Sequence, residues 1–277
     1  MFLASLVLLA GPLLHEGAWQ GLPMARVNGL ASVGGSYVLG GLDGLFIGKP
    51  GDWKSVSKEP VRQIVSQGEA AWVLFGSGAV DKIEPLTDRR YPDVFFGAAR
   101  RPWCSCLFAT ANKLFAGTTG GWIEKGPRGL AEHYPPALKG QIVTAVLPQG
   151  DAVWVGTQAG ALFRFSGANV HRWTPAHGLM DSWVSSLAAT PKGVFVGTYT
   201  AGLYRIKGSR AIKLPTPGER VRSLIVFRNR IALGLDQSAY LQDSGGWKPL
   251  QSPDKETTGF CVVNGKLTVL TNLGVQQ

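Results

Sequence analysis

VWVGTQAGALFRF (Val153–Phe165) returns as VFVGTYTAGLYRI (Val194–Ile206). Looser copies are LFAGTTGGWI (Leu114–Ile123), YVLGGLDGLFI (Tyr37–Ile47) and IALGLDQSAYL (Ile231–Leu241); WVLFGSGAVDKI and LTVLTNLGVQQ are weaker still. A second motif travels with the first. GLPMARVNGLA from Gly21 and GLMDSWVSSLA from Gly178 share Gly, Leu, Val, Leu and Ala at the same offsets. The central positions of the copies are Gly40, Gly76, Gly117, Gly156, Gly197, Gly234 and Leu270, a period of about 38 residues. Within each copy apolar residues alternate, and β-branched and aromatic residues are abundant, which reads as strand. Glycine at the turns supplies positive φ without a Cβ clash. Each unit therefore reads as four short strands, the fourth often carrying an aromatic residue (Trp53, Tyr134, Trp173, Trp247).

A four-stranded unit at this period is a propeller blade, and one blade cannot bury both faces alone. Seven anchors predict an all-β, seven-bladed β-propeller occupying residues 16–277 as a single domain. The last unit is one strand short. The stretch GAWQGL around Trp19 is expected to supply that strand, so that the N-terminal strand closes the ring and removes an open sheet edge.

Composition agrees with a large folded core. Of 277 residues, 45% are hydrophobic, 17% are charged and 37 are glycine. Disorder and coiled coil are excluded. The net charge of +10 favours anionic partners: an anionic small molecule, an oligosaccharide or an acidic protein surface. Nucleic acid is not expected, because the basic run from Arg205 to Arg230 alternates with apolar residues as strand and turn, and no nucleic-acid motif accompanies it. Cys104, Cys106 and Cys261 make an odd count without a CxxC, so neither a disulfide framework nor a zinc site is expected. No other metal site or cofactor is predicted, and the domain is expected to be monomeric.

Residues Phe2 to Leu14 form an apolar run too short to span a bilayer and suited to the central region of a signal peptide. Residues 1–15 are accordingly read as a signal peptide or N-terminal hydrophobic segment. A periplasmic or secreted location follows, with no membrane span beyond that segment.

The patterns G-L-P-x-x-x-V-x-x-[LI] and V-W-V-G-T-x-x-G-x-L-[FY]-R resemble the two-component-regulator propeller repeat. The resemblance covers nearly all of residues 18–277 and is closest in blades one, four and five. It implies a periplasmic ligand-sensing domain of the kind found in bacterial hybrid kinases and in stand-alone exported proteins. The membrane helix, kinase and regulator segments of the sensor form have no counterpart in the sequence, so the resemblance carries a sensing or binding role and not signal output. Streptogramin-lyase-like and other seven-bladed families share the architecture, and fold alone fixes no function.

No enzymatic constellation stands out: no GxSxG, HExxH, Walker A, Asp box or calcium loop. No catalytic residue is predicted. The alternative to a binding or protein-interaction propeller is a lyase or hydrolase acting on a glycan or lactone, with residues gathered from scattered loops. For a ligand, the sequence offers the starts of the innermost strands. Aligning Val27-Asn28, Val61-Arg62, Trp103-Cys104, Val143-Thr144, Val184-Ser185, Val221-Arg222 and Thr258-Gly259 makes a mostly polar second column, which becomes a ring at one mouth of the channel. Arg62 and Arg222 fall three blades apart and are expected to converge on an anion there, together with Asn28, Thr144 and Ser185. Tyr199 and Trp103 could stack on sugar rings.

Overall fold

A computed structural model describes residue 19 and residues 21–95, 97–98, 102–250 and 255–276. The predicted signal segment, residues 1–15, lies outside them. Blade one comprises β1 (Val27–Val33), β2 (Ser36–Gly41), β3 (Gly44–Lys49) and β4 (Asp52–Ser57). Blade two comprises β5 (Val61–Gln67), β6 (Ala70–Phe75), β7 (Val80–Glu84) and β8 (Arg89–Tyr91). Blade three comprises β9 (Cys104–Ala109), β10 (Leu114–Thr118), β11 (Gly121–Gly126) and β12 (Gly129–His133). Blade four holds β13 (Val143–Gln149), β14 (Ala152–Thr157), β15 (Leu162–Ser166) and β16 (Asn169–Trp173). Blade five holds β17 (Val184–Thr190), β18 (Gly193–Thr198), β19 (Leu203–Lys207) and β20 (Arg210–Leu214). Blade six holds β21 (Val221–Phe227), β22 (Arg230–Leu235), β23 (Ala239–Asp243) and β24 (Gly246–Pro249), and blade seven β25 (Thr257–Val263), β26 (Lys266–Thr271) and β27 (Gly274–Gln276). Every blade is an antiparallel meander in chain order. This is a seven-bladed β-propeller.

The core is distributed as seams between neighbouring blades. One cluster joins blades one and two through Val38, Val61 and Phe75; another joins four and five through Trp154, Leu162, Val184 and Tyr204. The recurrent glycine of the second strand explains the seam. A Cβ on Gly40, Gly156 or Gly197 would stand 2.5 Å from a Cγ of Val61, Val184 or Val221, the first inner-strand residue of the next blade. Gly117 meets Val143 in the same way, at 2.6 Å. Glycine here makes room for a valine, and its φ is not positive.

Pairing corrects one anchor. Leu74, not Gly76, faces the inner strand of blade two, across from Gln63, as Gly40 faces Gly29. Gly76 lies in the following turn and donates its N–H to Pro60 O at 2.8 Å. The larger Leu74 is accommodated because the facing residue of blade three is Cys104, smaller than the valine used in five of the other six blades; both belong to one buried cluster.

Ring closure by an N-terminal strand falls largely outside the described residues. Among the described residues blade seven has three strands. The stretch 17–22 was expected to add a fourth, but residues 17, 18 and 20 lie outside the described ones, and Trp19 is in a 3-10 turn. Trp19 is buried with Met24, Val27, Leu39, Val263 and Leu270, plugging the seam between blades one and seven. It meets Tyr37 edge to face at 5.0 Å. Arg26 closes the same seam by a bidentate pair with Glu256, at 2.8 and 3.0 Å.

Candidate functional site at the channel mouth

Each inner strand carries a β-bulge at the same place. The register slips between Val27 and Gly29, Val61 and Gln63, Cys104 and Cys106, Val143 and Ala145, Val184 and Ser186, Val221 and Ser223, and Thr257 and Gly259. A bulge re-aims the extra residue's side chain. The bulged residues are Asn28, Arg62, Ser105, Thr144, Ser185, Arg222 and Thr258, polar without exception. The sequence alignment was one residue out in blades three and seven: Cys104-Ser105 replaces Trp103-Cys104, and Thr257-Thr258 replaces Thr258-Gly259. Alternation alone could not see the extra bulge residue. Ser105 and Thr258 were therefore missed, and placing Cys104 in the valine column would have found the first.

Five of these side chains donate to the carbonyl of the first inner-strand residue of the next blade. Asn28 Nδ2 reaches Val61 O at 2.8 Å, and Arg62 reaches Cys104 O at 3.5 Å. Ser105, Thr144 and Thr258 donate their hydroxyls to Val143 O, Val184 O and Val27 O. The polar ring is thus first a circumferential stitch. Gln63 adds a second stitch between blades two and three: its amide donates to Leu107 O at 2.9 Å and accepts from Leu107 N at 2.8 Å.

All seven bulged residues line one central cavity of about 440 Å³. Arg62 and Arg222 stand in blades two and six of that wall, as the sequence placed them. Neither is a bare charge. Arg62 lies over the Trp103 ring at 4.7 Å and also reaches Ser105 O at 3.3 Å; loss of hydration lowers its pKa. Arg222 lies over Tyr199 at 5.3 Å and is paired with Asp236. Desolvation opposes its charge, and the hydrogen bond and negative charge of Asp236 outweigh that, so its pKa is raised. Arg220 shares Asp236 at 3.3 Å and lies over the same Tyr199 at 5.8 Å. Two guanidiniums on one carboxylate leave one net positive charge. Tyr199 stacks on Trp183 at 4.3 Å. Tyr199 and Trp103 therefore serve as platforms for the arginines; neither lines the cavity itself.

Asn28 and Thr144 spend their polar ends on the stitch. Ser185 does not: its hydroxyl is buried without a partner, as are those of Ser186 and Ser223 beside it. Arg220, Trp183, Ser186 and Ser223 were not predicted. The turns following the second strands do open on this face. Tyr199 N–H donates to Trp183 O, Gln158 N–H to Ile142 O and Asn272 N–H to Glu256 O, each within 3.1 Å, tying those turns to the segments that enter the inner strands. Among the described residues no group of three or more His, Cys, Asp or Glu is arranged to hold a metal ion. His177 caps its own turn, with Nδ1 3.3 Å from Thr174 N.

No family model matches the chain, and no curated protein does. Solved structures do. The extracellular domain of a protein described as a hybrid two-component system, BT3049 from B. thetaiotaomicron, superposes with a TM-score of 0.75 at 11% identity, over 92% of this chain and 39% of that one. The corresponding domain of BT4673 from the same organism gives 0.71 at 15% identity, over 94% and 41%. PorZ, a surface component of the type-IX secretion system of Porphyromonas gingivalis, gives 0.66 at 14%, over 92% and 37%. The likeness is one of fold, and this chain spans well under half the length of each.

Proposed function

We propose that the chain is an exported, non-catalytic binding propeller of the two-component-regulator type, holding an anionic group at the mouth of its channel. One observation carries this reading. Two guanidiniums, each laid on an aromatic ring, flank a single cavity whose wall also holds three hydroxyls without partners. Stacking orients each arginine while its remaining N–H groups stay free to donate. A carboxylate, sulfate or phosphate would accept from both arginines and from Ser185. Such a group could belong to a small molecule, an acidic oligosaccharide or an acidic loop of another protein. Export is supported by the apolar run at residues 2–14 and by two of the structures sharing the fold being extracellular domains.

The test is a binding screen of sulfate, small dicarboxylates and sulfated or uronic oligosaccharides by calorimetry. Arg62→Ala combined with Arg222→Ala should weaken any hit about a hundredfold, two charge-assisted contacts being lost. An unaltered affinity in the double variant refutes the site.

A further inference from the structure

A second cavity, of about 460 Å³, opens between blades four and five. Its wall includes Gln149 at the end of β13, Gly193 at the start of β18 and the turn Gly208-Ser209 between β19 and β20. These mark the face opposite the channel mouth. The groove is floored by Trp154 and Trp173, stacked at 5.0 Å. Arg164 lies over Trp154 at 5.8 Å, and His171 lies against Trp173 at 4.1 Å.

The groove has a cation and no carboxylate. None of its lining residues is an aspartate or glutamate. Among the described residues Arg164 has no carboxylate partner. Trp173 is only 3% exposed, and its indole N–H is buried without an acceptor. The one amide oxygen on the wall, Gln149 Oε1, is already taken by Trp154 Nε1 at 3.0 Å.

Blade two shows how the repeat settles the same geometry by itself. Trp72 Nε1 donates to Gln67 Oε1 at 3.0 Å, and Lys82 lies over Trp72 at 5.8 Å. Lys82 faces Trp72 across the ladder as Arg164 faces Trp154. There the cation is answered by Glu84, two residues along the same strand. The equivalent position in blade four is Ser166. The cation, the tryptophan and the glutamine are kept, and the carboxylate is missing.

We propose that the groove between blades four and five binds an organic carboxylate with a compact apolar body. The ligand's carboxylate takes the place on Arg164 that Glu84 takes on Lys82. Its body covers the tryptophan floor. A volume of this size suits a small molecule or one terminal residue of a chain.

The experiment is a titration of 15N-labelled full chain with sodium phenylacetate, following the indole N–H cross-peaks, with Trp173 assigned through Trp173→Phe. Phenylacetamide, neutral and of nearly the same shape, is the control. The Trp173 peak should shift saturably with phenylacetate, and the amide should bind about tenfold more weakly or worse. Arg164→Gln should remove the response, and so should Ser166→Glu, which supplies the internal carboxylate of blade two. Arg62→Ala with Arg222→Ala should leave it intact, so this site stands or falls apart from the channel mouth. No saturable shift, equal shifts with acid and amide, or an unchanged response in both Arg164→Gln and Ser166→Glu overturns the proposal.

Discussion

The smallest unit of this fold is a glycine facing a valine. Gly156 gives up its side chain so that Val184 of the next blade can sit 2.5 Å from where a Cβ would be. Gly156→Ala should therefore cost about 1–3 kcal/mol by overpacking. Val184→Ala should also destabilise, but the double variant should cost less than the sum, since the smaller residue frees the space the methyl needs. Urea denaturation of the four proteins measures that coupling, and strict additivity would contradict the contact. The cysteines give a second test at this scale. All three are free, and burial pushes the Cys104 and Cys106 thiols up to about 12. The folded state keeps these protons while an unfolded thiol loses its own near pH 8.5, so the folded state binds more protons above that pH. Stability should be unaffected below about pH 8.5 and fall as pH rises, by about 1.4 kcal/mol per unit for each thiol. Denaturation at pH 8 and pH 10, repeated on Cys106→Ala, should show a shallower decline in the variant.

At the scale of the element, the bulge decides what a polar residue does. The bulged column looked in the sequence like a ligand ring, and the structure shows a stitch that also lines a cavity. Thr144 and Ser185 separate the two roles. Thr144 donates to Val184 O, whereas the Ser185 hydroxyl has no partner. Thr144→Val should cost about 1–3 kcal/mol, because a carbonyl is left unpaired. Ser185→Ala should change the melting temperature little and matter only to a bound ligand. Equal losses would mean that the stitch contributes nothing. Strand identity and blade count were legible because period-2 alternation and the glycine repeat are local signals. The register of blades three and seven was not, since a bulge adds one residue without altering local chemistry. Trp103, placed in the valine column by that slip, proved to be the surface on which Arg62 lies.

Across the whole molecule, the seam between blades one and seven joins the two ends of the described chain. Trp19 is 7% exposed in that seam. Trp19→Ala should cost about 3–5 kcal/mol, the range for emptying a large aromatic site, read as a lowered midpoint in a thermal or urea melt. Arg26→Met should cost under about 1 kcal/mol, because the Arg26–Glu256 pair is about one-third exposed and screened. If the two variants rank the other way, the pair and not the packing closes the ring. The positive charge is likewise arranged at this scale: Lys213, Arg220 and Arg222 in the basic run are answered by Glu219 and Asp236, and among the described residues Arg164, outside that run, has no such answer.

Alternation, turn glycines and a repeat of nearly constant length are properties of the chain taken a few residues at a time, and they determined an all-β propeller of seven units. Tertiary structure decided the rest, since each deciding contact joins residues from different strands, turns or blades. It put Leu74 against a cysteine, turned Trp19 into a plug, and set Arg222 beside Asp236 and Arg62 on Trp103. It also set Arg164 beside a tryptophan floor without the carboxylate that blade two supplies. The charge of an arginine can be read from the sequence, but whether that charge is already matched depends on what the ring brings against it.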